Sequence, residues 1–238
     1  MQVVRNDDGK PIAQQPAAPV ATATPEPASP SASPAESQRR APEFFVMIDP
    51  SHGGIDKGAT FGGKLLEKDI TLKLARELRK ELEDRGIPSR MLRDSDVDIA
   101  LERRAEITNE QRAGIYLALH AGRPGHGIRV YAPLLANPQP PAPGRFLPWE
   151  SAQAPALERS KAVAQAISVE LRKRGMTVTT LGIPLRPLNN IVSPAIAVEL
   201  APEGDDLQSL ESPKRNTNVA AGIAAAIAQV RGQMGGRL

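Results

Sequence analysis

The chain has no cysteine, which rules out disulfides and any thiolate metal site. Aromatic residues make up 3% of its 238 positions, so a core has to be built from Leu, Ile, Val and Ala. No apolar run approaches the roughly 20 residues that a membrane-spanning helix needs. Met1 is followed by polar residues, not by the apolar stretch of an export signal. The net charge of +3 is too small to argue for a nucleic-acid partner, and none is expected. Histidine is scarce too, with only His52, His120 and His126. Any metal site must draw on these and on carboxylates.

Residues 1–42 are low in complexity. Stretches such as Gln14-Gln-Pro-Ala-Ala-Pro and Ser29-Pro-Ser-Ala-Ser-Pro carry almost no large apolar side chain. Such a segment cannot bury enough surface to offset its chain entropy, and it reads as a disordered or polyproline-like tether. Residues 43–238 read as one compact domain. Five apolar residues, Phe44 to Ile48, form a short run suited to a strand covered on both faces. Ile70, Leu74, Leu78 and Leu82 recur every four residues and predict a helix that Gly86 and Pro88 end. Ile87 to Arg93 predicts a strand. Asp98 is the expected N-cap of a second helix reaching about Gln111, with Leu101, Ala105 and Ile107 or Thr108 facing inward.

Gly114 to His120 and Gly127 to Pro133 predict further strands. Leu135 to Pro155 is Pro-rich and irregular, a candidate binding loop, where Trp149 either lines a groove or pins the loop. A helix over Leu157 to Lys173, an edge strand over Thr177 to Leu181, a buried strand over Ser193 to Leu200 and an Ala-rich helix over Asn216 to Val230 complete the chain. This alternation predicts an α/β fold, a single three-layer domain with a mostly parallel twisted sheet and helices on both faces.

Chemistry in open α/β sheets gathers at the carboxyl ends of strands. Three of the expected strands end in or just before His52, His120 and Glu199, and Glu67 opens the first helix. Pro50, Gly53, Gly54 and Gly58 let the chain bend sharply around His52. Two imidazoles and a carboxylate suit tetrahedral Zn²⁺ with one position left for water, and a further carboxylate beside that water would serve as a general base. His126 reads as a surface residue among glycines. Gly58-Ala-Thr-Phe-Gly-Gly63-Lys64-Leu65 fits seven positions of a phosphate-loop pattern, but Leu65 stands where the Ser or Thr that binds Mg²⁺ belongs.

Five segments together resemble the zinc-dependent N-acetylmuramoyl-L-alanine amidases of the bacterial cell wall, of the amidase_3 type. They are Ile48-Asp-Pro-Ser-His-Gly-Gly-Ile-Asp-Lys-Gly-Ala59, Glu67-Lys-Asp-Ile-Thr-Leu, Met91-Leu-Arg-Asp-Ser-Asp96 with Leu101-Glu-Arg-Arg104, Leu117-Ala-Leu-His-Ala121 and Pro194-Ala-Ile-Ala-Val-Glu-Leu200. Each is weak alone; their order and spacing make the set specific. The resemblance implies one zinc ion held by His52, Glu67 and His120, with Glu199 as catalytic base. It implies hydrolysis of the amide between N-acetylmuramic acid and L-alanine of peptidoglycan, by a monomer, in the periplasm or outside the cell. Arg186 falls where the family has an arginine before the last strand, and it either binds a substrate carboxylate or pairs with a surface acid. Some family members carry a helix that blocks the site until an activator protein removes it; the Pro-rich stretch from Leu135 argues for an open site here.

The chain departs from the family pattern at Ser51, at Gly122 and at Ala201-Pro202. Ser51 would cost about 1 kcal/mol if that position needs a positive φ. These departures keep two alternatives open: an inactive relative that binds peptidoglycan, and a zinc carboxypeptidase on a related scaffold.

Overall fold

The computed structural model describes residues 44–122, 126–136 and 148–234. The proposed tether, residues 1–42, and the centre of the Pro-rich stretch, residues 137–147, lie outside the described residues. A strand β1 (Val46–Pro50) leads through the His52 loop into a hairpin, β2 (Thr60–Phe61) and β3 (Leu65–Leu66). Helix α1 (Glu67–Glu83) and strand β4 (Ser89–Met91) follow, then α2 (Leu101–Glu110), β5 (Ile115–Ala121) and β6 (Ile128–Pro133). The chain continues with α3 (Leu157–Lys173), β7 (Val178–Ile183), β8 (Ala195–Leu200) and α4 (Pro213–Met234).

Six strands form one sheet in the order β4-β1-β5-β8-β6-β7. Every neighbouring pair is parallel except β6 with β8. The sheet is therefore mixed but mostly parallel, as expected. The rim that carries the carboxyl ends of β1, β5 and β8 also carries the amino end of β6.

The two faces of the sheet are unequal. Val46, Ile48, Leu117, Leu119, Ile196, Val198 and Val130 point to one face, where the inner stripes of α1, α3 and α4 cover them. In α1 that stripe is Ile70, Leu74, Leu78 and Leu82, all nearly free of solvent, and truncating one such leucine to Ala would cost about 2–5 kcal/mol. Met47, Tyr116, Ala118, Ala195 and Ala197 point to the other face, which meets Ala105 of α2 and the turn residues Leu188 and Ile191. Side chains alternate along a strand, so Asp49, His120, Glu199, Arg129 and Tyr131 share this second, thinly covered face.

The start of α2 differs from the sequence reading. Its N-cap is Ala100, without a side-chain cap, and not Asp98. The segment before it is tied back to the first loop, because Asp96 accepts from the Gly54 amide at 2.7 Å and from Lys68 Nζ at 2.6 Å. Leu101 is 42% exposed and is not part of the inner face, whose buried residues are Arg104, Ala105 and Thr108. Arg104 takes an inner place because Asp49 gives its guanidinium a buried partner.

Candidate metal centre

The first loop is held by arginines. Arg93, almost fully buried, donates to the carbonyls of Pro50, Ser51 and Lys68 at 2.8, 3.0 and 2.7 Å. Arg104 donates to the carbonyls of Pro50 and His52 at 3.2 and 2.9 Å and pairs with Asp49, which also accepts from the Tyr116 hydroxyl. Burying two guanidiniums is costly unless their donors are met, and here backbone carbonyls of the loop meet them. This gives a physical job to the Arg93 and Arg104 segments that the sequence marked.

The strain in that loop sits at His52, whose φ is 63°. Ser51 has no positive φ, so the cost expected there does not arise. A non-glycine residue in the left-handed region persists where its surroundings over-determine it. At His52 those surroundings are Arg104 below and Gly58 alongside. A Cβ on Gly58 would lie 2.6 Å from the His52 ring and 2.7 Å from Glu67 Oε2, so glycine lets the loop close over both.

The structure brings His52, Glu67 and His120 together, with one ligand atom of each within 4.8 Å of the others. His52 Nε2 is 3.2 Å from Glu67 Oε2, and His120 Nδ1 is 3.0 Å from Glu67 Oε1. The remaining nitrogen of each imidazole has its own partner. His52 Nδ1 is 2.7 Å from Asp56 Oδ2, and His120 Nε2 is 2.9 Å from Ser51 Oγ. Each ring thus turns one nitrogen to Glu67 and is steadied through the other, the arrangement by which outer partners orient metal-binding imidazoles. Ser51, flagged as a departure, is a partner of His120.

Glu67 opens α1, and its carboxylate also accepts from the amides of Ala59 (2.8 Å) and Ala121 (3.1 Å). Burial would raise its pKa, but the hydrogen bonds with His120, His52 and the Ala59 amide outweigh it and hold the carboxyl far below the usual range. The same contact with Glu67 raises the His52 pKa against the opposing effect of burial, with Asp56 adding to the rise. Two imidazole nitrogens and an ionised carboxylate facing one point form a donor set that fits Zn²⁺.

Glu199 lies across from His120 in the β5–β8 register. It lines a cleft of about 440 Å³ with His52, Glu67, His120, Gly122 and Tyr131. Its carboxylate is gripped by residues that the sequence reading did not single out. Arg129 donates Nη2 to Oε1 at 2.7 Å and Nε to Oε2 at 3.1 Å, and the Tyr131 hydroxyl donates to Oε2 at 2.5 Å. Burial would raise the Glu199 pKa, but the bonds from Arg129 and Tyr131 prevail and lower it. The Tyr131 phenol is pushed up to about 12 by burial and by its bond to Glu199. The signal for both was present, since Ile128, Val130 and Ala132 alternate with Arg129 and Tyr131 and so assign the polar pair to one face.

Arg186 lines a smaller adjoining cavity of about 270 Å³ that shares His52 and His120 with the cleft. Its side chain is 57% exposed, with Nη1 3.8 Å from Glu102 Oε1. His126 is exposed and lines neither cavity. Trp149 is 40% exposed; its carbonyl accepts from Asn190 Nδ2 at 3.0 Å, and its side chain lines neither cavity. Of the glycines of the phosphate-loop pattern, Gly62 and Gly63 turn the β2–β3 hairpin, and Gly58 lies beside His52 and Glu67.

The N-acetylmuramoyl-L-alanine amidase family model, amidase_3, matches residues 46–229, most of the chain and all eight strands among the described residues. The chain belongs to this family. A germination-specific N-acetylmuramoyl-L-alanine amidase of Bacillus subtilis is 38% identical over 90 residues, 32% of this chain and 38% of that protein. The matches to the first curated relatives thus span well under half of their length. Among solved structures, the amidase AmiC2 of Nostoc punctiforme is 25% identical with a TM-score of 0.62, covering 78% of this chain and 96% of that one. The CwlD amidase of Clostridioides difficile, solved in complex with the GerS lipoprotein, shares the fold at 20% identity and a TM-score of 0.61, covering 80% of this chain and all of that one.

Proposed function

We propose that this chain is a zinc-dependent N-acetylmuramoyl-L-alanine amidase that hydrolyses the amide between N-acetylmuramic acid and the L-alanine of peptidoglycan stem peptides. The observation that carries the reading is the convergence of His52, Glu67 and His120 beside a separate carboxylate, Glu199, in one cleft of a chain of this family. His52, Glu67 and His120 would hold a single zinc ion. When bound, zinc supplies Lewis acidity toward a carbonyl oxygen and lowers the pKa of water.

The protein's own residues do the rest. Asp56 and Ser51 keep the two imidazoles turned toward Glu67. Glu199, ionised and not committed to the histidines, takes a proton from the attacking water and returns it to the leaving amine of L-alanine. Ile183 and Leu185 give the cleft an apolar wall. Arg186 lines the adjoining cavity, where an arginine suits a carboxylate of the stem peptide.

Action on peptidoglycan places the chain in the periplasm or outside the cell, with residues 1–42 as a tether that lets the catalytic domain reach its substrate. Among the described residues no helix is long and apolar enough to cross a membrane. The domain, residues 43–238, acts as a monomer in this reading, and a partner protein such as the one seen with the CwlD amidase is a candidate regulator.

Digestion of purified sacculi, followed by mass spectrometry, tests the reading. The expected result is release of intact stem peptides beginning with L-alanine, abolished by a chelator and restored by Zn²⁺. Loss of the C-terminal residue from stem peptides still attached to N-acetylmuramic acid would point to a carboxypeptidase. Binding to sacculi without release would point to an inactive relative.

A further inference from the structure

Among the described residues, Glu199 has three hydrogen-bond donors around it, and their distribution is uneven. In the antiparallel β6–β8 pairing, Arg129 is the direct partner of Glu199, and Tyr131 follows two residues along on the same face. Directly opposed residues on one face of a sheet have side chains within easy reach of each other. The guanidinium meets the carboxylate as a fork, and the Tyr131 hydroxyl also lies 3.0 Å from Arg129 Nε, so the three groups close on one another. Arg129 and Glu199 side chains are 12% and 16% exposed, leaving little water to compete for these bonds.

An ionised carboxylate offers about four acceptor positions, two on each oxygen. Among the described residues, Oε2 receives Tyr131 and Arg129 Nε, and Oε1 receives Arg129 Nη2. Among the described residues, Oε1 is therefore the less occupied of the two oxygens. Oε1 is also the atom that depends on Gly122. A Cβ built on Gly122 would fall 1.5 Å from Oε1 and 2.6 Å from the carboxyl carbon. Gly122 has no positive φ, so what glycine supplies there is space.

We propose that Arg129 and Tyr131 are positioning residues that turn Glu199 so that Oε1 is the proton-accepting atom, and that Gly122 is the opening that admits this pose. The proposal rests on the reading of Glu199 as the base. It turns the Gly122 departure from a loss into a matched feature of the site: the space left at position 122 is the space the carboxylate fills. A fork from Arg129 fixes two torsions of the Glu199 side chain at once, which a point charge cannot do.

The test measures kcat and KM separately for stem-peptide release by R129A, R129K, Y131F and G122A, with zinc content and melting temperature for each. Misplacing a reacting group by about 1 Å costs on the order of 10²-fold in rate, so R129A and G122A should each lose kcat on that scale. KM and zinc content should stay at the wild-type level. R129K should recover part of the loss and Y131F should lose least. A crystal structure of G122A should show the carboxylate turned away from Arg129. Wild-type kcat in either R129A or G122A would overturn the proposal, as would a loss of kcat matched by loss of zinc. Should R129A fail to fold, G122A decides alone. A wild type that releases no stem peptide would overturn the functional reading itself and this proposal with it, whereas an active wild type with unaffected variants would overturn only the proposal.

Discussion

Glu67 and Glu199 line the same cleft in opposite company. Glu67 faces two imidazoles and two backbone amides, drawn from three separate parts of the chain: the His52 loop, Ala59, and the end of β5. Glu199 faces a guanidinium and a phenol, both from the neighbouring strand. The first glutamate gathers loops around a point that can hold a cation. The second is anchored within the sheet and, among the described residues, bonds to neither imidazole. One side-chain type thus serves two chemistries, and what separates them is which donors the fold delivers.

The largest effect should come from breaking the first cluster. His120→Ala removes one of three donors, and zinc measured by atomic absorption should fall far below one per chain with release of stem peptides abolished. Full zinc occupancy in that variant would remove His120 from the ligand set. A smaller effect should follow from the outer partners. Asp56→Ala frees the His52 ring, and Ser51→Ala frees the His120 ring. Each should weaken zinc binding by about 10–100-fold, read by competition with a chelator, with Asp56→Ala the stronger because it also removes a charge.

Acidity sharpens the same contrast. Ligands bind metal in their deprotonated forms, and Glu67 raises the His52 pKa above the ordinary 6.5. Protons should therefore compete at His52 at a higher pH than at an ordinary imidazole, and zinc affinity should still be rising with pH above 6.5. A pH-independent affinity across neutrality would contradict this. The smallest effect belongs to the second cluster. The Tyr131 pKa is raised from 10.0 to about 12, so the bond that Tyr131 gives Glu199 contributes its full stability below pH 10, and that contribution is lost as the pH rises through 12. Only one other tyrosine, Tyr116, is present; it is fully buried and raised well above 10.0 by burial and by Asp49. Ultraviolet titration should therefore show no tyrosine ionising near 10, and a phenol that does so would contradict the clamp.

The parts of this molecule that were legible in the sequence are those governed by local periodicity. The four-residue spacing of Ile70, Leu74, Leu78 and Leu82 located α1, and the apolar runs ending shortly before His52 and at His120 located β1 and β5. Strand ends on one rim then implied that His52, His120 and Glu199 would meet. What local pattern did not carry was partnership between distant residues. Asp98 looked like a cap, but Asp96 tethers that segment to Gly54 and Lys68 and the helix begins at Leu101. Leu101 looked like core, but Arg104 holds the inner place through Asp49. Ser51 looked like a strained substitution, but the strain falls on His52 and Ser51 meets His120. Arg129 and Tyr131 were hidden inside a strand read only for its apolar residues, and the antiparallel turn of β6 against β8 is what sets them against Glu199.

The measurement that tests the two-glutamate account most directly compares Glu67→Gln with Glu199→Gln in one experiment, reading zinc content and stem-peptide release from the same preparations. Glu199→Gln should keep one zinc per chain and lose turnover by about 10²–10⁴-fold, the range a general base supplies; Glu67→Gln should lose both. Zinc lost from Glu199→Gln, or substantial turnover retained by it, would contradict the division of labour between the two carboxylates.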